Sequence, residues 1–311
     1  MNIVLKTLLS KGLISSKYYS HIAIKRPYYN YNPNKFYSNE KNNLYNLNET
    51  EQNIAEHLQS DSIAVTHFDD LFPQYNFKDI LDYAEKERLK TENIEKVRLA
   101  EKGIQEGRGK FYNVQFWSDL KKFNKRTLFT DIMLEDSIIK IASSYLQTQV
   151  KLYYLDLWYN VPMKSGSNAI LSQNWHRDPD DRNCVKVFLY LNDVDEDMGS
   201  LWYIPKTPHG KKYGKVFPRG APNQESPKPN EVDRKFKDQR ITLTGKAGTI
   251  VFVDTTGLHK GGYSKTKARY VMNGCYYSNG SYFRYNKMHM DTIGKFQDTT
   301  LKSDLAKYAV E

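Results

Sequence analysis

The apolar positions of this chain change their period partway along its length. Over residues 1–11 they fall at Ile3, Val4, Leu5, Leu8 and Leu9, the spacing of one helical face, until Gly12 interrupts them. Residues 28–50 are rich in Tyr and Asn and poor in aliphatics, which predicts an irregular lead-in, and Asn48-Glu49-Thr50 opens a short helix. Residues 62–66 read as a short strand. Residues 76 to about 104 carry a Lys/Glu-rich helical pattern, and 134–146 another. From residue 149 strands take over, at 150–159, 185–191, 199–205, 249–253 and 268–277, separated by polar turns.

Several short strands preceded by helices predict a mainly β fold with flanking helices (α+β). Its core is an antiparallel sandwich or jelly roll, buttressed on one side. Residues 1–48 form an N-terminal extension and 49–311 one domain. Within that domain, residues 206–240, rich in Lys, Pro and Gly, are a long insertion between strands of the kind that serves as a lid or binding loop.

Composition changes this picture in one respect. The formal charge of +10 is concentrated in residues 1–39, with six Lys and Arg and no acid, and in 206–240, with ten cations against four acids. The rest of the chain is close to neutral, so its cations do not form the continuous track that nucleic-acid binding would use. No run approaches the ~20 apolar residues of a spanning helix, which argues against an integral membrane protein. Arg26 is the single arginine before residue 88, which argues against a mitochondrial presequence. The expectation is a cytoplasmic protein whose basic extension packs on its own domain. Peripheral membrane contact through residues 1–14 is the alternative. Cys184 and Cys275 lie in strand-like runs without CxxC or CxxH spacing and read as core residues.

The candidate chemistry begins at Asn174-Trp175-His176-Arg177-Asp178. In an extended segment His176 and Asp178 project from one face, because side chains alternate with period two. A lone HxD triplet is weak, since a His bonded to an Asp is ordinary structure. Its context is stronger: His176 precedes an apolar strand, and His259 follows strand 249–253 after a short turn. Together they offer the 2-His-1-carboxylate face that suits non-haem Fe(II). Arg269, ten residues beyond His259, could grip the distal carboxylate of a dicarboxylic cosubstrate with its rigid fork, or be a solvent-facing strand residue.

As a set, these residues resemble the phytanoyl-CoA dioxygenase-like branch of the Fe(II)/2-oxoglutarate-dependent oxygenases over roughly residues 60–285. The resemblance rests on His176 and Asp178, on strand 199–205 after an acidic turn, and on Asp254-Thr255-Thr256-Gly257-Leu258-His259 with Arg269. It implies a double-stranded β-helix (cupin-like) core with Fe(II) on His176, Asp178 and His259. It further implies 2-oxoglutarate held by Arg269, consumption of O2, and release of succinate and CO2. Halogenating relatives carry a small residue in place of the carboxylate, so Asp178 implies hydroxylation. The sequence departs from the family after Pro205, where Lys206-Thr207-Pro208-His209 replaces a Gly-Ser-His-type turn on the substrate side.

Gln173 and Trp158 are further candidates for cosubstrate contact, and Tyr154, Asp156 and Trp175 for the pocket lining, with core packing as the alternative for each. Asp180 and Asp181 read as turn residues, and His209 could reach the site from the insertion. His21, His57, His67 and His289 have no supporting context. The expected substrate is a small or carrier-linked molecule, anionic if the basic insertion lies beside the pocket. The competing readings are another metal enzyme on a cupin-like fold and a noncatalytic module for anionic surfaces.

Overall fold

Asn48 starts the first helix as its sequence predicts. Its side chain accepts from the Glu51 N–H, and the Glu51 carboxylate accepts from the Asn48 N–H, a capping box that opens α1 (Glu49–Asp61). Ser62, at φ 66°, turns the chain out of α1 into β1 (Ile63–His67). The computed structural model describes residues 46–103, 110–117, 127–178, 183–218, 227–278 and 303–310. The expected helix over 1–11, most of the Tyr/Asn-rich lead-in, Asp180, Asp181, His21 and His289 lie outside them.

After a one-turn α2 (Phe68–Leu71), the single helix expected over 76–104 is two helices, α3 (Phe77–Arg88) and α4 (Thr91–Glu101). They part at Lys90, whose ψ of 139° is extended. The Asn93 amide, which donates to the Glu87 carbonyl, and the Lys90–Glu87 ion pair hold the break. The Lys90–Glu87 spacing of three is compatible with helical periodicity, so the pattern alone did not place the break. Short strand β2 (Asn113–Gln115) follows, then α5 (Leu128–Met133) and α6 (Asp136–Leu146), again parted by one extended residue, Glu135.

The β elements then run β3 (Val150–Asn160), β4 (Val185–Tyr190) and β5 (Leu201–Tyr203). After α7 (Pro229–Lys235) come β6 (Ile241–Leu243), β7 (Thr249–Val253), β8 (His259–Lys260) and β9 (Arg269–Ser278), and α8 (Asp304–Val310) ends the described chain. The major sheet has the order β1-β7-β4-β9-β3-β2 and the minor sheet β6-β5-β8, with every pairing antiparallel. They pack face to face as a jelly roll, and among the described residues they do not close into a barrel. No described helix is long and apolar enough to cross a membrane.

Strand alternation divides the core. Val185, Val187 and Leu189 of β4, with Ile250 and Phe252 of β7, face the helices and meet Ile54, Leu58, Phe129 and Ile138. The alternate residues Phe188, Tyr190, Val251, Val253 and Val271 face the minor sheet and meet Leu201, Tyr203 and Leu243. By that parity Lys186 on β4 and Arg269 on β9 also face inward, which is how two cations come to lie in the interior.

Candidate metal centre

The HxD segment extends the minor sheet beyond β8. His176 and His259 exchange backbone hydrogen bonds of 2.9 and 3.0 Å, and the Asp178 N–H donates to the Thr255 carbonyl at 2.9 Å. This pairing puts His176 opposite His259, with ring centroids 4.1 Å apart. Asp178 stays on the same face, with carboxylate oxygens 3.6 Å from His176 Nε2 and 3.7 Å from His259 Nε2. One ligand atom from each residue lies within 4.8 Å of the others, a cluster that could hold a metal ion.

The ring nitrogens are already sorted for that role. His176 Nδ1 lies 2.8 Å from the Asn174 carbonyl and His259 Nδ1 3.0 Å from the Gly257 carbonyl. A carbonyl can only accept, so each Nδ1 carries the proton and each Nε2 keeps its lone pair toward Asp178. Burial, with His176 beside it, lowers the His259 pKa to about 3, so its imidazole is neutral near pH 7. Burial alone would raise the Asp178 carboxyl, but the Lys186 ammonium beside it holds it well below the usual carboxylate range. Two imidazole nitrogens and one ionised carboxylate are a donor set that suits non-haem Fe(II).

The residues between and beside His176 and Asp178 face the other way. Trp175 is fully buried, packs against Val232 and Phe236, and donates its indole N–H to Asp233 on α7. Arg177 donates to the carbonyls of Thr207, Thr256, Val216 and Phe217 at 2.5–2.9 Å. These two side chains clamp the described parts of the 206–240 insertion to the side of the segment that faces away from the metal cluster. The turn leading to His259 is fixed by buried Asp254, whose carboxylate accepts from Tyr145, Asn183 and Thr256.

Arg269 opens β9, 5% exposed, and donates from Nε and one terminal nitrogen to Asn160 Oδ1 at 3.3 and 3.0 Å, its cross-strand partner on β3. Among the described residues no carboxylate pairs with it. Burial lowers its pKa, with the Tyr190 and Tyr112 hydroxyls opposing. Gly262 lets Asn160 and Tyr112 come close beside Arg269, because a Cβ there would come within 3.2 Å of both. A buried guanidinium with spare donors is suited to a carboxylate ligand.

The remaining candidates are placed as follows. The Gln173 amide spans the Ile170 N–H and the Gly262 carbonyl, tying the approach to His176 onto the loop that follows β8. Trp158 stands between the sheets beside Phe188 and donates its indole N–H to Asp156. Asp156 also accepts from the Trp117 and Leu157 N–H groups, and burial raises its pKa to about 7. Tyr154 accepts from Asn273. His209 is exposed on the insertion, His57 is exposed on α1, and His67 caps α2. Lys186, Arg177, Asn160 and Tyr112 were not singled out by sequence. For Lys186 a signal existed, the lone charge in an otherwise apolar strand.

Comparison with known proteins adds a family and a fold. The sequence signature of the family described as Phytanoyl-CoA dioxygenase (PhyH) matches residues 65–270. No curated protein matches the chain in sequence. Among solved structures, EctD from S. alaskensis in its apoform superposes with TM-score 0.50 at 15% identity, over 75% of this chain and 77% of that one. The carbocyclase SnoK and the epimerase SnoN, both described as non-heme alpha ketoglutarate dependent and from nogalamycin biosynthesis, give 0.49 and 0.48 at 14% identity. These alignments cover 76% and 74% of this chain and 85% and 83% of theirs.

Proposed function

The chain belongs to the phytanoyl-CoA dioxygenase family, and from that premise we propose that it is an Fe(II)- and 2-oxoglutarate-dependent dioxygenase that hydroxylates a small or carrier-linked organic molecule. The observation that carries this reading is the convergence of His176, Asp178 and His259 with both Nε2 lone pairs free and the carboxylate ionised. In it, those three residues hold iron, which with 2-oxoglutarate and O2 supplies the oxidising chemistry.

The protein's own contribution is placement. The paired backbones of His176 and His259 set the spacing of the imidazoles, and the Asn174 and Gly257 carbonyls fix their tautomer. Arg269, steadied by Asn160, would hold the distal carboxylate of 2-oxoglutarate. The inner faces of the two sheets, with Phe188, Tyr190 and Trp158, keep bulk water from the reacting groups.

The test is succinate formation. The purified protein is supplied with Fe(II), 2-oxoglutarate and fractionated metabolite and glycoconjugate extracts, with His176→Ala as control. Substrate-stimulated succinate together with one added oxygen atom in a component supports hydroxylation. Stimulated succinate with a product that gains no oxygen would reassign the reaction within the class. Metal-dependent turnover indifferent to 2-oxoglutarate would overturn the reading.

A further inference from the structure

A buried lysine sits against the metal carboxylate. Lys186 projects from the inner face of β4, 7% exposed, and its ammonium donates to Asp178 Oδ2 at 2.5 Å. Its cross-strand neighbours are Val253 of β7 and Cys275 of β9, and the Tyr154 ring lies 5.9 Å away. The pair therefore bridges the two sheets, with the cation on the major sheet and the carboxylate on the segment that extends the minor one. Iron binding through the cluster needs no such cation, and a divalent ion at Asp178 would be repelled by it.

We infer that Lys186 is a positioning residue that occupies one oxygen of Asp178, so that the carboxylate offers the metal a single oxygen and leaves the remaining positions open for cosubstrate. This rests on the assignment of His176, Asp178 and His259 as the iron ligands. Two consequences follow from electrostatics. Before the metal arrives, the ammonium compensates a buried carboxylate that would otherwise destabilise the fold. Once the metal is present, the ammonium competes with it for the charge of Asp178, so the site gives up affinity for an open coordination sphere.

The experiment uses the full chain and Mn(II) as an air-stable probe, measured by calorimetry, by water-proton relaxation and by the rise in Tm on metal addition. Lys186→Met keeps the length of the side chain and removes its charge. In this variant Mn(II) binds at least about tenfold more tightly. The relaxation enhancement per bound ion falls, because a second carboxylate oxygen displaces water. The metal-induced rise in Tm exceeds that of the wild type, because the metal-free form has lost its compensating charge. Lys186→Arg returns all three toward wild type, and Lys186→Gln serves the same comparison if the Met variant does not fold. Affinity that is unchanged or weaker in the uncharged variant, with relaxation unaltered, overturns the inference. Wild-type protein that takes up no Mn(II), and matches His176→Ala in doing so, sinks the functional reading instead.

Discussion

His259 combines a buried ring with a depressed pKa, and that has a consequence for stability. Its folded value of about 3 lies below the ordinary 6.5, so between these values the unfolded chain binds a proton that the folded one does not. Stability from this residue is present above pH 6.5 and is lost as pH falls toward 3. Asp156 runs the other way. Its folded value of about 7 exceeds the ordinary 3.8, so its share is present at low pH and lost as pH rises through 7. The net profile mixes the two, and substitution separates them. In metal-free protein, His259→Gln removes about 2 kcal/mol of the destabilisation between pH 7 and 5, read from urea midpoints at both values. At the other end of the site, Arg269→Lys keeps a charge but loses the planar fork. The KM for 2-oxoglutarate rises about tenfold or more while Mn(II) affinity holds, as steady-state kinetics and calorimetry would report. The convergence of His176, Asp178 and His259 was legible in the sequence as a candidate, because spacing and residue type carry it, and Arg269 stood out by residue type. Asn160 and Tyr112 did not, since an amide and a phenol in aromatic runs look like packing until the fold sets them beside Arg269.

Among the elements, the strands around the site depend on close backbone approach. Gly199, at φ +73°, accepts from the Gly262 N–H, and a Cβ on it would come within 2.9 Å of the backbone of Gly262 and Ser264. Neither strain is relieved by a side-chain rotation, so Gly199→Ala costs about 2–4 kcal/mol and weakens the pocket beside Arg269, which thermal unfolding and 2-oxoglutarate titration would both register. Most strands were visible in the pattern: β3, β4, β7 and β9 follow their apolar runs to within a residue or two. The short β2, β6 and β8, two or three residues each, were not. A strand that short has no periodicity of its own and exists because a partner offers it hydrogen bonds. The break at Lys90 escaped because it is one extended residue inside a helical pattern, and the short helix Leu128–Met133 was not expected.

At the scale of the whole molecule, the described parts of the basic insertion are clamped by Trp175 and Arg177 behind the ligand segment. Changing Lys212, Lys215, Lys235 and Lys237 to Gln together therefore leaves the KM for 2-oxoglutarate within about twofold, whereas Trp175→Ala costs about 3–5 kcal/mol and frees the insertion to faster hydrogen exchange. The sequence left open whether these cations lie beside the site. Alternation along the HxD segment places the described residues that meet Trp175 and Arg177, because whatever meets those two side chains is held on the side opposite His176 and Asp178. By itself the sequence determined the fold class and the family and picked out the candidate ligand set, for these are written in residue type, spacing and period. The tertiary structure alone decided which carbonyls set the imidazole tautomers, which side of the site the insertion covers, and that Lys186 meets Asp178. Each of these depends on contacts between strands far apart in the chain, and no local period encodes which distant face a side chain will meet.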